Sequence, residues 1–423
     1  MRALIRLFAL LLLIVGGQAT AAQTDLYPDD INPLTGLVAS QPDLLNRRPL
    51  IVKIDNYPPD IRPQSGLNAA DMVWETLLAG GATRFGAIYL GADDEHIGPV
   101  RSCRLVDFEL AHIFHSLFLC SGMAQGALDA LRADPVALSR SVARGGPCPP
   151  LCRFEREGVA FEHTLFADTA GVRALAAEMG RDLTPEAISG MTFDAAGPAG
   201  TPISGLRIQY TATEVEWQWD AATGRWLRWQ DGAAHMDALD GQQLHADNVL
   251  IFEADHLEQP VVSDGYWGPP NYAFTVDFTG SGRVILLRDG QFVEGEWRRA
   301  TDADPLTYVD LNGNPLDFKP GKTFVNLMPR WADGYQLVFG LTQPLTATVT
   351  FSGGINLRRG PAQGYSWIAA GQGGEQFSAV GRNRRGDWVQ LLLPNGDPVW
   401  AAAELLNVDG DVLSLPLVRS TFE

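Results

Sequence analysis

Basic side chains are in short supply: 32 lysines and arginines stand against 50 aspartates and glutamates in 423 residues, a formal charge of −18. A surface of that sign repels phosphate backbones and anionic headgroups, which excludes a nucleic-acid partner. Long apolar runs are also scarce. The one at the amino end, Leu7 to Val15, is about nine residues, short of the roughly 20 that a membrane-crossing helix needs. P-loop, G-x-G-x-x-G, H-E-x-x-H, G-x-S-x-G and S-x-x-K patterns are all missing, so the commonest nucleotide-binding and hydrolase classes lose their sequence support, and no cofactor is expected. Cysteine is limited to Cys103, Cys120, Cys148 and Cys152.

What is present suits a globular chain of two to four domains: 46% hydrophobic residues can build real cores. With 44 glycines and 27 prolines, about one residue in six punctuates structure, which favours short strands and turns over long helices. Residues 1–22 read as a signal peptide: basic Arg2 and Arg6, the apolar run, then small residues ending at Ala21 and Ala22. No cysteine lies there to carry a lipid. The expected mature protein is exported, with no membrane span after signal cleavage. Export permits disulfides, and four cysteines allow three pairings. The Cys148-Pro-Pro-Leu-Cys152 loop can close a small ring, leaving Cys103 with Cys120. A zinc site wants two short Cys or His pairs and the chain has one, so no metal is expected.

Along the chain, residues 50–54 read as a strand ending in the turn cluster Asp55-Asn56-Tyr57-Pro58-Pro59. Leu67, Ala70, Val73, Trp74, Leu77 and Leu78 fall at helical spacing and predict a helix closed by Gly80 and Gly81. Residues 85–90 and 118–120 predict strands, and 105–117, 124–131 and 171–179 predict helices. This alternation indicates an α/β domain over 30–195. From about residue 200 to 335 the texture turns to strict alternation, as in Val215-Glu-Trp-Gln-Trp219, with a hairpin into Arg225-Trp-Leu-Arg-Trp229. A third region, 346–408, has short strands separated by Gly, Asn and Pro and suggests a small barrel.

Linked motifs then carry a resemblance. Asn32-Pro-Leu-Thr-Gly-Leu37, Arg48-Pro-Leu-Ile-Val-Lys-Ile-Asp-Asn56, Arg62-Pro-Gln-Ser-Gly-Leu67, Ala70-Asp-Met-Val-Trp-Glu75, Gly80-Gly-Ala-Thr-Arg-Phe85 and Ile97-Gly-Pro-Val-Arg-Ser-Cys-Arg104 resemble the DUF3048 family of YerB-like lipoproteins. His245-Ala-Asp-Asn-Val249, Gly290-Gln-Phe-Val-Glu-Gly-Glu-Trp297 and Leu316-Asp-Phe-Lys-Pro-Gly-Lys-Thr-Phe324 resemble its second half, so the likeness spans about 30 to 330. It implies an exported cell-envelope protein without an established activity. The chain departs from the family in lacking the lipid-bearing cysteine and in having Cys120 and Cys103 where the family usually has His and a neutral partner. Ile355-Asn-Leu-Arg-Arg-Gly-Pro361, Gly386-Asp-Trp-Val-Gln390 and Asn395-Gly-Asp-Pro-Val-Trp400 resemble bacterial SH3 domains, which implies binding of peptidoglycan or another envelope ligand, although Pro398 and Val399 replace the last turn's glycine. The expected fold class is therefore α+β: a mixed α/β N-terminal domain, a β-rich second domain and a C-terminal SH3-like β-barrel.

Polar residues concentrate at Asp55, Arg62, Asp71, Glu75, Arg84, Arg101, Arg104 and Asp107. Asp71 and Glu75, four apart, share one face of the expected helix. Convergent Arg groups suit a carboxylate-bearing ligand held bidentately, and His163 matches a histidine of the family's P-H-N motif. Asp55, Arg62, Glu75, Arg84, Arg101, Arg104 and His163 are thus the candidate ligand-binding residues, against an ion-pair network that merely fixes packing. A paired-carboxylate glycosidase requires two acids about 5 to 10 Å apart across a cleft. Glu109, His112 and His115 have metal-like spacing on a helix, against ordinary packed histidines. Cys120 and His163 form a conceivable nucleophile pair unless Cys120 is in a disulfide. Trp217, Trp219, Trp226 and Trp229 are read as cross-strand packing in preference to sugar stacking. In the tail, Arg358, Trp367, Trp388 and Trp400 are candidates to line a ligand groove. The reading is an envelope binding or scaffold protein attached to the wall by its tail. The alternative is a peptidoglycan or peptide hydrolase targeted by that tail, and the sequence leaves catalysis open.

Overall fold

The computed structural model describes residues 28–78, 80–142, 147–264, 271–330, 335–338 and 345–419, and the leader expected over 1–22 lies outside them. Among the described residues the fold is mostly β, with 42% strand, 14% helix and no closed barrel. That corrects the expected α+β class, both its mixed α/β first domain and its terminal β-barrel. The error begins at residues 67–78. Met72–Leu77 is a strand, β2, paired with Thr83–Tyr89 (β3), which in turn pairs with Leu50–Asp55 (β1), in the order β2-β3-β1. Gly80 and Gly81, both at positive φ, turn β2 into β3 and cap no helix. A central strand covered on both faces has no polar side to show alternation, so its apolar run matches helical spacing by coincidence.

The main sheet runs Thr307–Asp310, Gln291–Arg299, Gly280–Arg288, Asn248–Asp264, Thr323–Pro329, β2, β3, β1 and then Leu117–Leu119 (β4). Thr323–Pro329 is parallel to both β2 and Asn248–Asp264, so one sheet runs through both halves of the chain. On one face Ile51, Trp74, Ile88 and Phe118 pack against Leu105–Ile113 (α1), Gln125–Ala133 (α2) and Pro135–Arg140 (α3). On the other, Val52, Ile54, Val73, Phe85 and Phe324 pack against Thr169–Glu178 (α4) and the strands Gly205–Gln209, Glu214–Asp220 and Arg225–Gln230. α1 stops short of the expected residue 117: His115, at φ 49°, breaks the helical path and turns the chain into β4.

The tail has its own core of Val349, Ile355, Leu357, Val389, Leu391 and Val399. Its strands follow the order Leu406–Val408, Leu345–Val349, Gln376–Arg382, Trp388–Leu392, Pro398–Ala402, Ile355–Arg358 and Trp367–Gly371. The two ends of this run do not pair, which leaves it open. Beyond residue 408 the chain returns: Leu417–Arg419 pairs with Tyr335–Val338, which pairs with Gly205–Gln209. Backbone hydrogen bonds thereby stitch the tail to the body.

Candidate functional site

Asp55 closes β1 and is 1% exposed. Its opposite neighbour on β3 is Arg84, and Arg84 is opposite Thr76 on β2, so the three form one row across three strands on the face that carries α1. Asp55 Oδ1 accepts from Arg84 Nε at 3.1 Å; Oδ2 accepts from Arg101 Nε at 2.9 Å and lies 2.6 Å from His163 Nδ1. Burial alone would raise the Asp55 pKa, but the charge of Arg84, the His163 hydrogen bond and the charge of Arg101 outweigh it and hold the carboxyl below its ordinary value. Facing a carboxylate, Nδ1 of His163 carries the ring proton and Nε2 points away from Asp55.

One carboxylate thus orients two guanidinium groups and an imidazole. Arg84 spends Nη1 on the Ser102 carbonyl at 2.9 Å, whereas its Nη2, both Nη atoms of Arg101 and Nε2 of His163 have no hydrogen-bond partner among the described residues. Arg101 is 22% exposed and His163 8%. Two guanidiniums against one carboxylate leave a net positive charge in an acidic protein, the arrangement that receives an anion. Arg104 sits beside this cluster, its Nη1 bonded to the carbonyls of Cys103 at 3.1 Å and Ser102 at 3.4 Å.

Behind the row lies Lys53, on the same strand and face as Asp55. Its ammonium reaches Asp107 at 2.7 Å and Thr76 at 2.9 Å, with both members of the pair 1% exposed. Burial lowers the Lys53 pKa, and the Asp107 partnership opposes but does not cancel that shift. Asp107 also accepts from the Arg104 backbone N–H at 2.7 Å, which caps α1. The sequence reading overlooked Lys53, although a lysine in the middle of a buried strand demands a buried partner. A shallow surface cleft with room for about one water adjoins these residues, lined by Thr76, Leu78, Arg104, Val106, His256, Phe274 and Leu327 among others.

Glu75 does not join the cluster, because alternation on β2 sends it to the opposite face. There Glu75 Oε2 is 2.8 Å from Arg228 Nη2, and Thr83 Oγ1 donates to Oε1 at 2.7 Å. Arg228 also bonds Gln230 and the Nδ1 of His235, whose Nε2 reaches Gln64 at 2.6 Å. Burial and the Arg228 charge push the His235 pKa well below its ordinary value, so this ring is neutral. Arg62 lies on this side too, paired with Asp231 at 2.7 Å. Asp71 precedes β2 and accepts from the Leu90 and Gly91 backbone and from Asn32. Asp71 and Glu75 therefore share no helix face. Arg228 and His235 were also missed; Trp226, Arg228 and Gln230 alternate onto one strand face, the available signal.

The remaining candidates separate. His112 binds Asp134 at 2.6 Å and His115 approaches Glu186 at 3.2 Å, so they hold different partners and do not converge with Glu109. Cys103 pairs with Cys120 and Cys148 with Cys152, which leaves Cys120 no thiol. Trp217 and Trp226 are buried in the core, and Trp219 packs on Trp226 at 5.2 Å. In the tail, register places Arg358 beside both Trp400 and Trp367. Trp400 is 4% exposed and Trp367 62%; Trp388, partly buried, lies one strand farther on. Of the four, Trp367 is the side chain with an open ring.

Residues 34–182 match the N-terminal domain of DUF3048, a protein family of unknown function, and residues 206–325 match its C-terminal domain. The chain is 29% identical over 319 residues to YerB of Bacillus subtilis, which is named as a lipoprotein; the alignment covers 73% of this chain and 90% of that one. The crystal structure of the Bacillus subtilis YerB protein superposes with a TM-score of 0.59 at 27% identity, covering 70% of this chain and 96% of that one. Residues 345–419 lie beyond both family matches. No helix among the described residues is long and apolar enough to cross a membrane.

Proposed function

The chain belongs to the DUF3048 family, and from that premise we propose that it is an extracytoplasmic, envelope-associated binding protein. The observation that carries the reading is the Asp55 cluster: Arg84, Arg101 and His163, oriented by one buried carboxylate, keep donor atoms unspent at the surface. Donor atoms left at the surface once the cluster is packed are placed to bond a ligand anion. The tail, which resembles bacterial SH3 domains in sequence, attaches the protein to the wall, with peptidoglycan as the partner and Trp367 as the contact.

The test is sedimentation of the full chain with purified sacculi. Trp367→Ala is the variant of choice, because removing the tail would also strip Tyr335–Val338 of one of its two partner strands. Pelleting that Trp367→Ala abolishes supports wall attachment; a wild-type chain that stays in the supernatant refutes it. One feature favours a second reading, a peptidoglycan or peptide hydrolase. Asp55 orients His163 as a carboxylate orients the base in nucleophilic catalysis. Against it, no hydroxyl or thiol among the described residues is hydrogen-bonded to Nε2. Release of muropeptides that His163→Ala abolishes would favour the enzyme.

A further inference from the structure

Backbone pairing continues past β1 on the side of Asp55. Arg101 N–H donates to the Lys53 carbonyl at 2.8 Å and Asp55 N–H to that of Pro99 at 3.0 Å, and beyond them Val100 N–H donates to the Leu165 carbonyl. Leu165–Ala167 in turn pairs with Leu151–Arg153. Ile54, Val100, Leu165 and Ala167 all belong to the core on one side of these segments. Alternation therefore turns their neighbours Asp55, Arg101 and Phe166 to the other side, together. There the Phe166 ring lies over Gly98, its Cδ1 2.8 Å from where a Cβ would stand. His96 stacks on Phe166 with centroids 4.2 Å apart and planes 9° from parallel, and Phe154 meets the two rings edge-on at 4.5 and 5.8 Å. His96 holds this place at φ 60°, a conformation uncommon outside glycine. Phe166 is buried under the pile, whereas His96 is exposed and Phe154 is 45% exposed. Burial and the Arg156 charge lower the His96 pKa, so the ring turned to solvent is neutral. An open aromatic pile thus stands about two strand spacings, about 10 Å, from the unspent donors of Arg101 and His163.

We propose that this face binds an acidic glycan, with one sugar ring stacked on His96 and Phe154 and a sugar carboxylate held by Arg84, Arg101 and His163. The inference rests on the binding-protein reading and names its ligand class. A flat exposed ring has no walls to enclose an apolar side chain, but its electron-rich face suits the C–H side of a pyranose. The planar fork of Arg101, anchored on Asp55 through Nε, presents both Nη groups to a carboxylate, and Arg104 adds positive charge on the Ser102 side. Asp60, Glu95, Glu155, Glu157 and Glu162 are exposed on the bordering loops and repel a densely charged chain such as a polyphosphate. The ligand that fits carries its acids sparsely along neutral sugars.

Calorimetric titration of the full chain tests this with two acidic disaccharides and their neutral counterparts. N-acetylglucosaminyl-N-acetylmuramic acid against di-N-acetylchitobiose represents a wall glycan, and cellobiouronic acid against cellobiose a uronate polysaccharide. At least one acid should bind at least tenfold more tightly than its neutral counterpart and than lactate, which has the carboxylate without the ring; the tighter acid identifies the source. Arg101→Ala should lower acid affinity about tenfold and Arg101→Lys less. His96→Ala and Phe154→Ala should each lower it about threefold and leave lactate unaffected. Thermal unfolding of each variant separates lost binding from lost folding. Neutral sugars or lactate that match the acids, His96→Ala and Phe154→Ala variants that both bind like wild type, or N-acetyl-alanyl-alanine that outcompetes both acids would overturn the proposal. Sedimentation with sacculi without acid-sugar binding would overturn only this ligand assignment, whereas acid-sugar binding by a chain that stays in the supernatant would overturn only the wall reading.

Discussion

Glu75 and Arg228 form a pair 2.8 Å apart, both 0% exposed, that joins β2 to the strand Arg225–Gln230. At that separation and an effective dielectric of about 20, the attraction is about 6 kcal/mol, set against a desolvation cost of several kcal/mol for each ion. The pair is therefore nearly neutral relative to an apolar replacement, but removing one partner strands a buried charge and costs about 3 to 5 kcal/mol. Arg228→Met leaves Glu75 with only Thr83 and Asn56 as donors and deprives Gln230 and His235 of theirs. Urea unfolding should show that loss for Arg228→Met and for Glu75→Met. The double substitution should be less destabilised than the sum by at least 2 kcal/mol, the coupling a double-mutant cycle measures. Single variants within about 1 kcal/mol of wild type, or additive costs, would refute the claim that this pair clamps the two halves.

Three further outcomes follow from the same contacts. Asp55, held below its ordinary pKa, stabilises the fold above the unfolded value near 3.8 and loses that contribution as pH falls below it; acid unfolding of Asp55→Asn should have a shallower slope below pH 4. Lys322 is pushed down to about 8 by burial. Unfolded chains hold that proton up to about 10.5, so the unfolded state binds more protons between pH 8 and 10.5, and the Lys322 contribution to stability rises with pH there. Lys322→Met should flatten that part of the stability curve measured by urea titration. Cys103 and Cys120 close a 17-residue separation and Cys148 and Cys152 one of four. Replacing both cysteines by alanine should cost about 3 kcal/mol in the first case and about 2 in the second by loop entropy, and equal losses would discount that account.

Patterns that repeat over a local stretch were legible. The strand at 50–54, the helices near 124–131 and 171–179 and the hairpin around Asp220-Ala-Ala-Thr-Gly224 all appear close to where spacing predicts them. Asp55, Arg84 and Arg101 were candidates by residue type and His163 by its match to the family's P-H-N motif, and the fold brings them together from β1, β3, the loop before α1 and a turn more than a hundred residues away. Their linked motifs also carried the family resemblance.

Burial on two faces was not legible. β2 looks helical because neighbours on both sides erase its alternation, and only the strand Thr323–Pro329, some 250 residues later, makes it central. The same pairing decides that Glu75 faces Arg228 and not Asp55, since a strand sends successive residues to opposite sides whereas a helix would have grouped Glu75 with Asp71. Composition and motif by themselves determined the acidic balance of charge, the family and the residue types of the candidate site. Which of those residues share a face was decided by long-range strand pairing, because register is a property of two segments and is written in neither one alone.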